Sequence, residues 1–283
     1  MELASVIIIT KNHSSFLKRC LNNLLNQTYN NYEIIIVDDN SSDDTSELVN
    51  SFNSDKLNYY LNSENKGLAS LRNFGISKSR GNFIFFTDAD CIPTSNWIEQ
   101  GMKLLSNDEF AGVEGKTIVE SQNFGVSTHF VENINGGQYQ TCNIAYKKEY
   151  LNKINMFNEK YDLAYEDIDL AIRIKKISKI AFNDNMLVLH QLVPWNIKRL
   201  ILNSRRAKYK VLLIKEHNYN KILKYRILEI NSLFQVIFPF LLPFYFRIRS
   251  VRDLYILPLM YIRSVIHRLI IWKTAIIEKI FII

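Results

Sequence analysis

The chain has 283 residues and a net charge of +7, unevenly spread: residues 191–283 hold 17 Lys and Arg against 4 Asp and Glu, whereas residues 1–190 hold 18 against 24. That length suits one large domain, or a domain with an appendage, and the acidic front half suits a metal ion or another cationic centre. Three cysteines, Cys20, Cys91 and Cys142, are too few and too scattered for a disulfide framework or a zinc site, which points to a reducing compartment.

The N-terminal run MELASVIII lacks the basic region and small-residue cleavage site of a signal peptide, and Ala4–Thr10 reads instead as a first buried strand. A helix follows, with Ser14 or Ser15 as its N-cap and an apolar stripe at Phe16, Leu17, Cys20, Leu21, Leu24 and Leu25. A second strand over residues 33–37 stops at Asp38-Asp39. A helix over 44–52, a short strand over 57–61 and a helix over 67–79 return the chain to Phe83. This alternation implies βαβ units and a mainly parallel sheet flanked by helices. The first strand-to-helix turn contains no glycine, so a G-x-G-x-x-G dinucleotide fingerprint is absent, as is a G-x-x-x-x-G-K-[ST] phosphate loop.

Residues 83–91, FIFFTDADC, are the stretch around which the rest is organised. Their apolar start suits a strand buried on both faces of a parallel sheet. Its end opens into the crevice at the carboxyl edge, where ligands bind in open α/β sheets. In extended chain, residues i and i+2 project to one side, so Asp88 and Asp90 are expected to face one cation or polar ligand together. The alternative is a solvated acidic turn. Two strand ends thus carry acids, Asp38/Asp39 and Asp88/Asp90.

Beyond Pro93, residues 97–105 read as a helix, 113–119 as extended chain, and 121–137 as a polar, glycine-bearing exposed loop. Residues 141–146 read as a strand. In YEDIDLAIR, Ile168, Ala171 and Ile172 have helical spacing and Asp167 stands where N-caps stand; Glu166, Asp167 and Asp169 also suit the positive end of a helix dipole. Residues 180–183 and 186–189 read as two short strands, the second ending at His190. The tail then holds a Lys- and Arg-rich helical stretch over 195–216, the apolar run 233–246, a basic break at 247–249 and the apolar, basic-punctuated stretch 254–283. A spanning helix needs about 20 apolar residues, and 233–246 is shorter and contains Pro239 and Pro243. Interfacial helices whose basic residues snorkel to lipid headgroups are the preferred reading, ahead of a short hairpin dipping into the bilayer. The interleaved Ile, Leu and Phe favour lipid over nucleic acid as the partner of this region.

SVIIITKN, YEIIIVDDNSSDDT, NKGLASLRNFGISKSRGNFIFFTDADC, YEDIDLAIR and a histidine ending a later strand occur in an order and spacing that resemble the family-two, inverting glycosyltransferases of the GT-A fold. The resemblance covers residues 5–190. It implies a nucleotide-binding, Rossmann-like catalytic domain over 1–192, while the basic, apolar composition of 193–283 points to a membrane-associating helical region there. By resemblance, Asp39 bonds the nucleobase, usually uracil, with Thr10 and Asn12 beside it. Lys11 stands where many members carry an aromatic residue. Arg72 contacts base or diphosphate, and Asp88 contacts ribose and metal-bound water. Asp90 is the metal ligand, joined by His190, and Asp167 is the general base; Asn143 and Glu166 lie on the acceptor side.

The implied reaction is a single displacement. An acceptor hydroxyl, on a saccharide or a lipid-linked saccharide, attacks the anomeric carbon of a nucleotide-sugar held with Mg²⁺ or Mn²⁺ at the cytoplasmic face of a membrane. An isolated aspartate has a pKa of about 3.9; burial, Glu166 and Asp169 are expected to raise that of Asp167. Two rivals remain. A sugar-phosphate nucleotidyltransferase shares the architecture but usually has an early glycine-rich basic loop, which SVIIITKNHSS lacks. A catalytically inactive, membrane-bound binding module would keep the fold without the intact acid set.

Overall fold

A computed structural model of the chain describes residues 1–64, 67–121, 125–219, 223–224, 227–246, 248 and 251–282. Two compact units emerge. One comprises Met1–Glu120, Phe130–Asp162 and Glu166–Gln191; the other comprises Ser121–His129, Leu163–Tyr165 and Leu192–Ile283.

The first unit runs β1 (Ala4–Thr10), α1 (Ser14–Leu24), β2 (Tyr32–Asp38), α2 (Thr45–Ser51), β3 (Leu57–Leu61), α3 (Leu68–Lys78), β4 (Phe83–Asp88), β5 (Cys91–Pro93), α4 (Trp97–Leu105) and β6 (Phe110–Val119). After β7 (Thr128–His129), which belongs to the second unit, come β8 (Ile144–Lys147), α5 (Lys148–Lys153), α6 (Glu166–Lys175) and β9 (Lys179–His190). Among the described residues one eight-stranded sheet forms, in the order β3-β2-β1-β4-β8-β6-β9-β5. The β3-β2-β1-β4 half is parallel; β8 runs antiparallel to β4 and β6, and β5 antiparallel to β9. This is the α/β, mainly parallel sheet read from the strand–helix alternation.

Both sheet faces are covered, which is why β1 is apolar at successive positions. Val6 and Ile8 join a core with Leu17, Leu21 and Trp97, whereas Ile7 joins Ile76, Phe86 and Phe157 on the opposite face. Gly75 allows α3 to lie directly on Ile7, since a Cβ there would stand 2.6 Å from its Cγ2.

Several expectations change in detail. His13, not Ser14 or Ser15, occupies the N-cap of α1, and Asp43 Oδ2 accepts the Ser14 N–H from 3.1 Å. The chain does not stay extended through residues 88–90: β4 stops at Asp88 and a turn at Ala89-Asp90 leads into β5. The two short strands expected before His190 are one strand, β9. Asn183-Asp184-Asn185 is absorbed by a register shift against β6, where Gly115 pairs with Asn183 and Lys116 with Leu187. The loop expected over 121–137 is not simply exposed: Asn133 is buried and its Nδ2 donates to Glu114 Oε1 at 2.8 Å. Residues 122–124 of that loop, and 65–66 of the NKG stretch, lie outside the described residues.

The second unit pairs β7 with β10 (Val193–Pro194), then continues through α7 (Ile197–Asn203), a 3₁₀ turn at Ser204–Arg206 and α8 (Ala207–His217). The helical stretch expected over 195–216 is therefore two helices. A hairpin of β11 (Leu223–Lys224) and β12 (Ile227–Leu228) precedes α9 (Ile230–Ile237), α10 (Leu242–Tyr245) and α11 (Val251–Ile277). Ala207, Val211 and Ile214 of α8 pack with Ile271 and Ala275 of α11. Residues 247 and 249 of the expected basic break lie outside the described residues. Asp253–Ile277, with a mean hydropathy of 1.5, is long and apolar enough to cross a membrane by length and composition.

Candidate active site

The site grows from the carboxyl ends of adjacent strands. Thr10 pairs with Asp38 across β1 and β2, and Ile9 pairs with Asp88 across β1 and β4, so these ends lie one strand spacing apart. On the β2 side, Asp39 donates its backbone N–H to Thr10 O at 2.9 Å. Its Oδ2 pairs with Lys11 Nζ at 2.8 Å, while Oδ1 is buried without a hydrogen-bond partner, as is Thr10 Oγ1. Asn12, with φ 54°, ties the two loops together: its N–H donates to Ser41 Oγ and its Oδ1 accepts from Ser42 N at 2.7 Å. Asp38, the other acid of the pair, is spent within the fold, accepting from Tyr59 Oη at 2.6 Å and Ser41 N at 2.8 Å.

On the β4 side, Asp88 has a raised pKa: burial pushes it up, Arg72 opposes this, and Asp90 adds to it, with weaker effects from His190 and Glu166. The turn at Ala89-Asp90 brings Asp90 back against the end of β9. Cys91 pairs with His190 in the ladder, Gln191 N donates to Asp90 O at 2.9 Å, and Asp90 Oδ1 stands 3.8 Å from His190 Nε2. His190 Nδ1 lies 2.8 Å from the Gln191 carbonyl oxygen. Because a carbonyl only accepts, Nδ1 donates to it, which leaves Nε2 as the ring atom facing the Asp90 carboxylate.

Asp90, Cys91 and His190 each offer a ligand atom within 4.8 Å of the others. Burial holds the Cys91 thiol well above its ordinary pKa, with Cys142 beside it. The donors that suit a hard cation are therefore one carboxylate oxygen and one imidazole nitrogen, which fits Mg²⁺ or Mn²⁺ better than a thiolate-seeking metal.

Arg72 stands beside Asp88 at this edge. It is buried and makes an ion pair with Glu166 Oε1, with a second contact of 3.7 Å to Asp88 Oδ1. The arginine thus faces two acids and couples β4 to the first residue of α6. Asp167 follows directly, half-buried, the second residue of α6 rather than its cap; its Oδ1 accepts Ile168 N at 2.8 Å. Tyr165, immediately before α6, takes a left-handed φ of 66°. The two carboxylates expected to raise Asp167's pKa are both paired, Glu166 with Arg72 and Asp169 with Arg173 at 2.6 Å.

Asn143, expected on the acceptor side, instead braces the fold. Its Oδ1 accepts Trp97 Nε1 at 2.8 Å, and its Nδ2 donates to Lys116 O at 2.8 Å and Met186 O at 3.0 Å. Glu114 escaped the sequence reading altogether, standing inside an apolar-looking strand. It is buried and gathers Asn133 Nδ2 and the backbone N–H groups of Gly137, Gln138 and Tyr139. Its only sequence signal is an acid in a strand next to glycine.

The structure therefore brings Thr10, Asp39, Asp88, Asp90, His190, Arg72 and Glu166 to one edge of the sheet, with Asp167 next to Glu166 in the chain, and leaves Asn143 within the core. The profile described as Glycosyl transferase family 2 matches residues 5–179. The chain belongs to glycosyl transferase family 2. Among its relatives in this family, an uncharacterized glycosyltransferase of Rickettsia bellii is 33% identical over 150 residues, 50% of this chain and 21% of that protein. The UDP-Glc:alpha-D-GlcNAc-diphosphoundecaprenol beta-1,3-glucosyltransferase WfaP of Escherichia coli is 29% identical over 197 residues, 66% of this chain and 76% of that protein. Several other curated family members are longer, the match spanning 21% to 56% of their length. The fold is shared with the mannosyltransferase PcManGT of Pyrobaculum calidifontis, solved with GDP-Man and Mn2+, at a TM-score of 0.62 and 15% identity over 95% of this chain and 86% of that one.

Proposed function

We propose that this family-two chain transfers a sugar, with inversion, from a UDP-sugar to a hydroxyl of a saccharide or lipid-linked saccharide acceptor at the cytoplasmic face of a membrane. The observation that carries the reading is the pairing of Asp90 Oδ1 with His190 Nε2 at 3.8 Å beside Asp88, with the imidazole oriented by Gln191 O. WfaP's name gives UDP-glucose and a lipid-linked acceptor for that relative, and PcManGT was solved with Mn2+.

In this reading Asp39 Oδ1, buried and unsatisfied, accepts the imide N–H of uracil, with Thr10 and Asn12 shaping the loop beside it. Asp88 receives ribose hydroxyls. Asp90 and His190 would hold Mg²⁺ or Mn²⁺, which when bound supplies Lewis-acid stabilisation of charge on the departing diphosphate. Asp167 takes the proton from the acceptor hydroxyl as the nucleoside diphosphate leaves from the opposite face of the sugar, which inverts the anomeric centre. Arg72 and Glu166 position the start of α6, and so Asp167, without touching the donor. In the second unit, Phe240, Phe244, Tyr255, Ile276 and Phe281 are each more than two-thirds exposed, which favours helices lying in a membrane interface.

A panel of UDP-sugars with Mn²⁺ and membrane extract tests this. Metal-dependent release or transfer of one sugar is expected. Joining of a sugar phosphate to a nucleoside triphosphate, with no turnover of any UDP-sugar, would favour the nucleotidyltransferase instead. UDP binding without any sugar release would favour an inactive module.

A further inference from the structure

The second unit gathers more positive charge than it neutralises. Lys210 of α8 is only 16% exposed along its side chain and pairs with Glu229; its ammonium also stands 5.6 Å from the Tyr165 ring centroid. Arg268 of α11 is buried and donates to Glu229 O and Ser232 Oγ. Arg206, in the turn that packs against α11, and Arg263 of α11 have no carboxylate partner among the described residues, and Arg263 Nε is buried without a hydrogen bond.

Residues 191–283 contain four acids, and the others are engaged or distant: Glu278 pairs with Lys215, Asp253 accepts Ser127 N at 2.9 Å, and Glu216 is exposed near the end of α8. The Glu229 carboxylate is shared between Lys210 and His267, and Arg268 reaches its backbone oxygen. The surplus is felt locally: burial first, then Arg206, Arg263 and Arg268, lower the Lys210 pKa to about 7 even with Glu229 in contact.

Unpaired cations held in a low-dielectric interior are unfavourable unless an anion completes them. Two guanidinium groups and an ammonium offer the forked, multi-donor geometry that suits phosphate oxygens better than a single carboxylate. We infer that Arg206, Lys210 and Arg263 form a binding site for a phosphate monoester or diphosphate, such as the headgroup of an anionic lipid carrier. The inference deepens the proposed membrane-acceptor reading and names the chemical group by which such an acceptor is held. Exposed Phe240 and Phe244 in the same unit favour a lipid source for that phosphate.

The test uses the full chain and needs no sugar transfer, so its failure is separable from failure of the glycosyltransferase reading. Two probes are used: inorganic pyrophosphate by titration calorimetry, and flotation with phosphatidylcholine vesicles with and without phosphatidic acid. Arg206→Gln/Arg263→Gln is compared with Lys198→Gln/Lys273→Gln, which removes the same formal charge from exposed positions. The first pair is expected to weaken binding of the phosphate probe by on the order of tenfold or more, and the surface pair to change it little. Loss on vesicles assigns the lipid headgroup; loss with pyrophosphate alone assigns a soluble phosphate ligand. Equal effects of the two pairs, or binding of neither probe by the wild type, would overturn the site. Without a phosphate probe, Arg263→Gln should melt at or above the wild-type temperature, because it relieves repulsion; a clear drop would mean that Arg263 serves the fold instead.

Discussion

Arg72→Met separates a positioning arginine from one that grips the nucleotide. In the structure the guanidinium is buried between Glu166 and Asp88, and Glu166 Oε2 has no other partner. Removing the cation leaves a buried carboxylate uncompensated, a change that costs roughly 3–5 kcal/mol. A domain of about 150–250 residues loses roughly 2–4 °C of Tm per kcal/mol, so a fall on the order of 6–20 °C is expected by calorimetry. Adding Glu166→Gln to Arg72→Met removes the stranded charge and should recover part of the loss, with a coupling energy of about 0.5–3 kcal/mol across the double-mutant cycle. A variant that melts like the wild type, but binds UDP poorly, would refute the reasoning and return Arg72 to the donor.

Two further outcomes follow from buried polar groups. Glu33 is held by Ser5 Oγ at 2.7 Å and by Arg80 N and Nε at 2.7 and 2.8 Å. Burial alone would raise its pKa, but those donors outweigh it and the net shift is downward. Its contribution is therefore complete above the unfolded value of about 4.3 and is lost as pH falls through the lower folded value. Glu33→Gln should cost about 1–3 kcal/mol at neutral pH, a gap that closes in acid; a constant gap across that range in urea melts would count against this. Asn143→Ala strands Trp97 Nε1 and two carbonyls and should cost at least about 2 kcal/mol while leaving the acceptor KM unchanged; a raised KM in a stable variant would place Asn143 back on the acceptor side.

Much of the scaffold was legible because its signals are local. The apolar runs of β1, β2 and β4 and the stripe on α1 follow from the two periodicities of buried strands and one-sided helices. The unseen parts depend on contacts far apart in sequence. Asp43 replaces a serine cap on α1 from the next loop. Asn183-Asp184-Asn185 has turn chemistry, yet pairing with β6 carries the strand through it as a bulge. The acids after β4 were found as residues, but their geometry was not: they meet through a turn that returns Asp90 to His190, not through the alternation of one extended strand. Asn143 shows the same limit, since a polar residue in a functional motif reads alike whether it meets a ligand or a buried partner.

The central claim is that acids remote in sequence act on one sugar nucleotide, and titration of UDP with and without Mn²⁺, paired with turnover of the preferred UDP-sugar, tests it most directly. Asp167→Asn should bind UDP as the wild type does while turnover falls about 10²–10⁴-fold, and Asp90→Asn should lose the dependence of UDP binding on the metal. Near-normal turnover by Asp167→Asn, or undiminished Mn²⁺-dependent binding by Asp90→Asn, would contradict it.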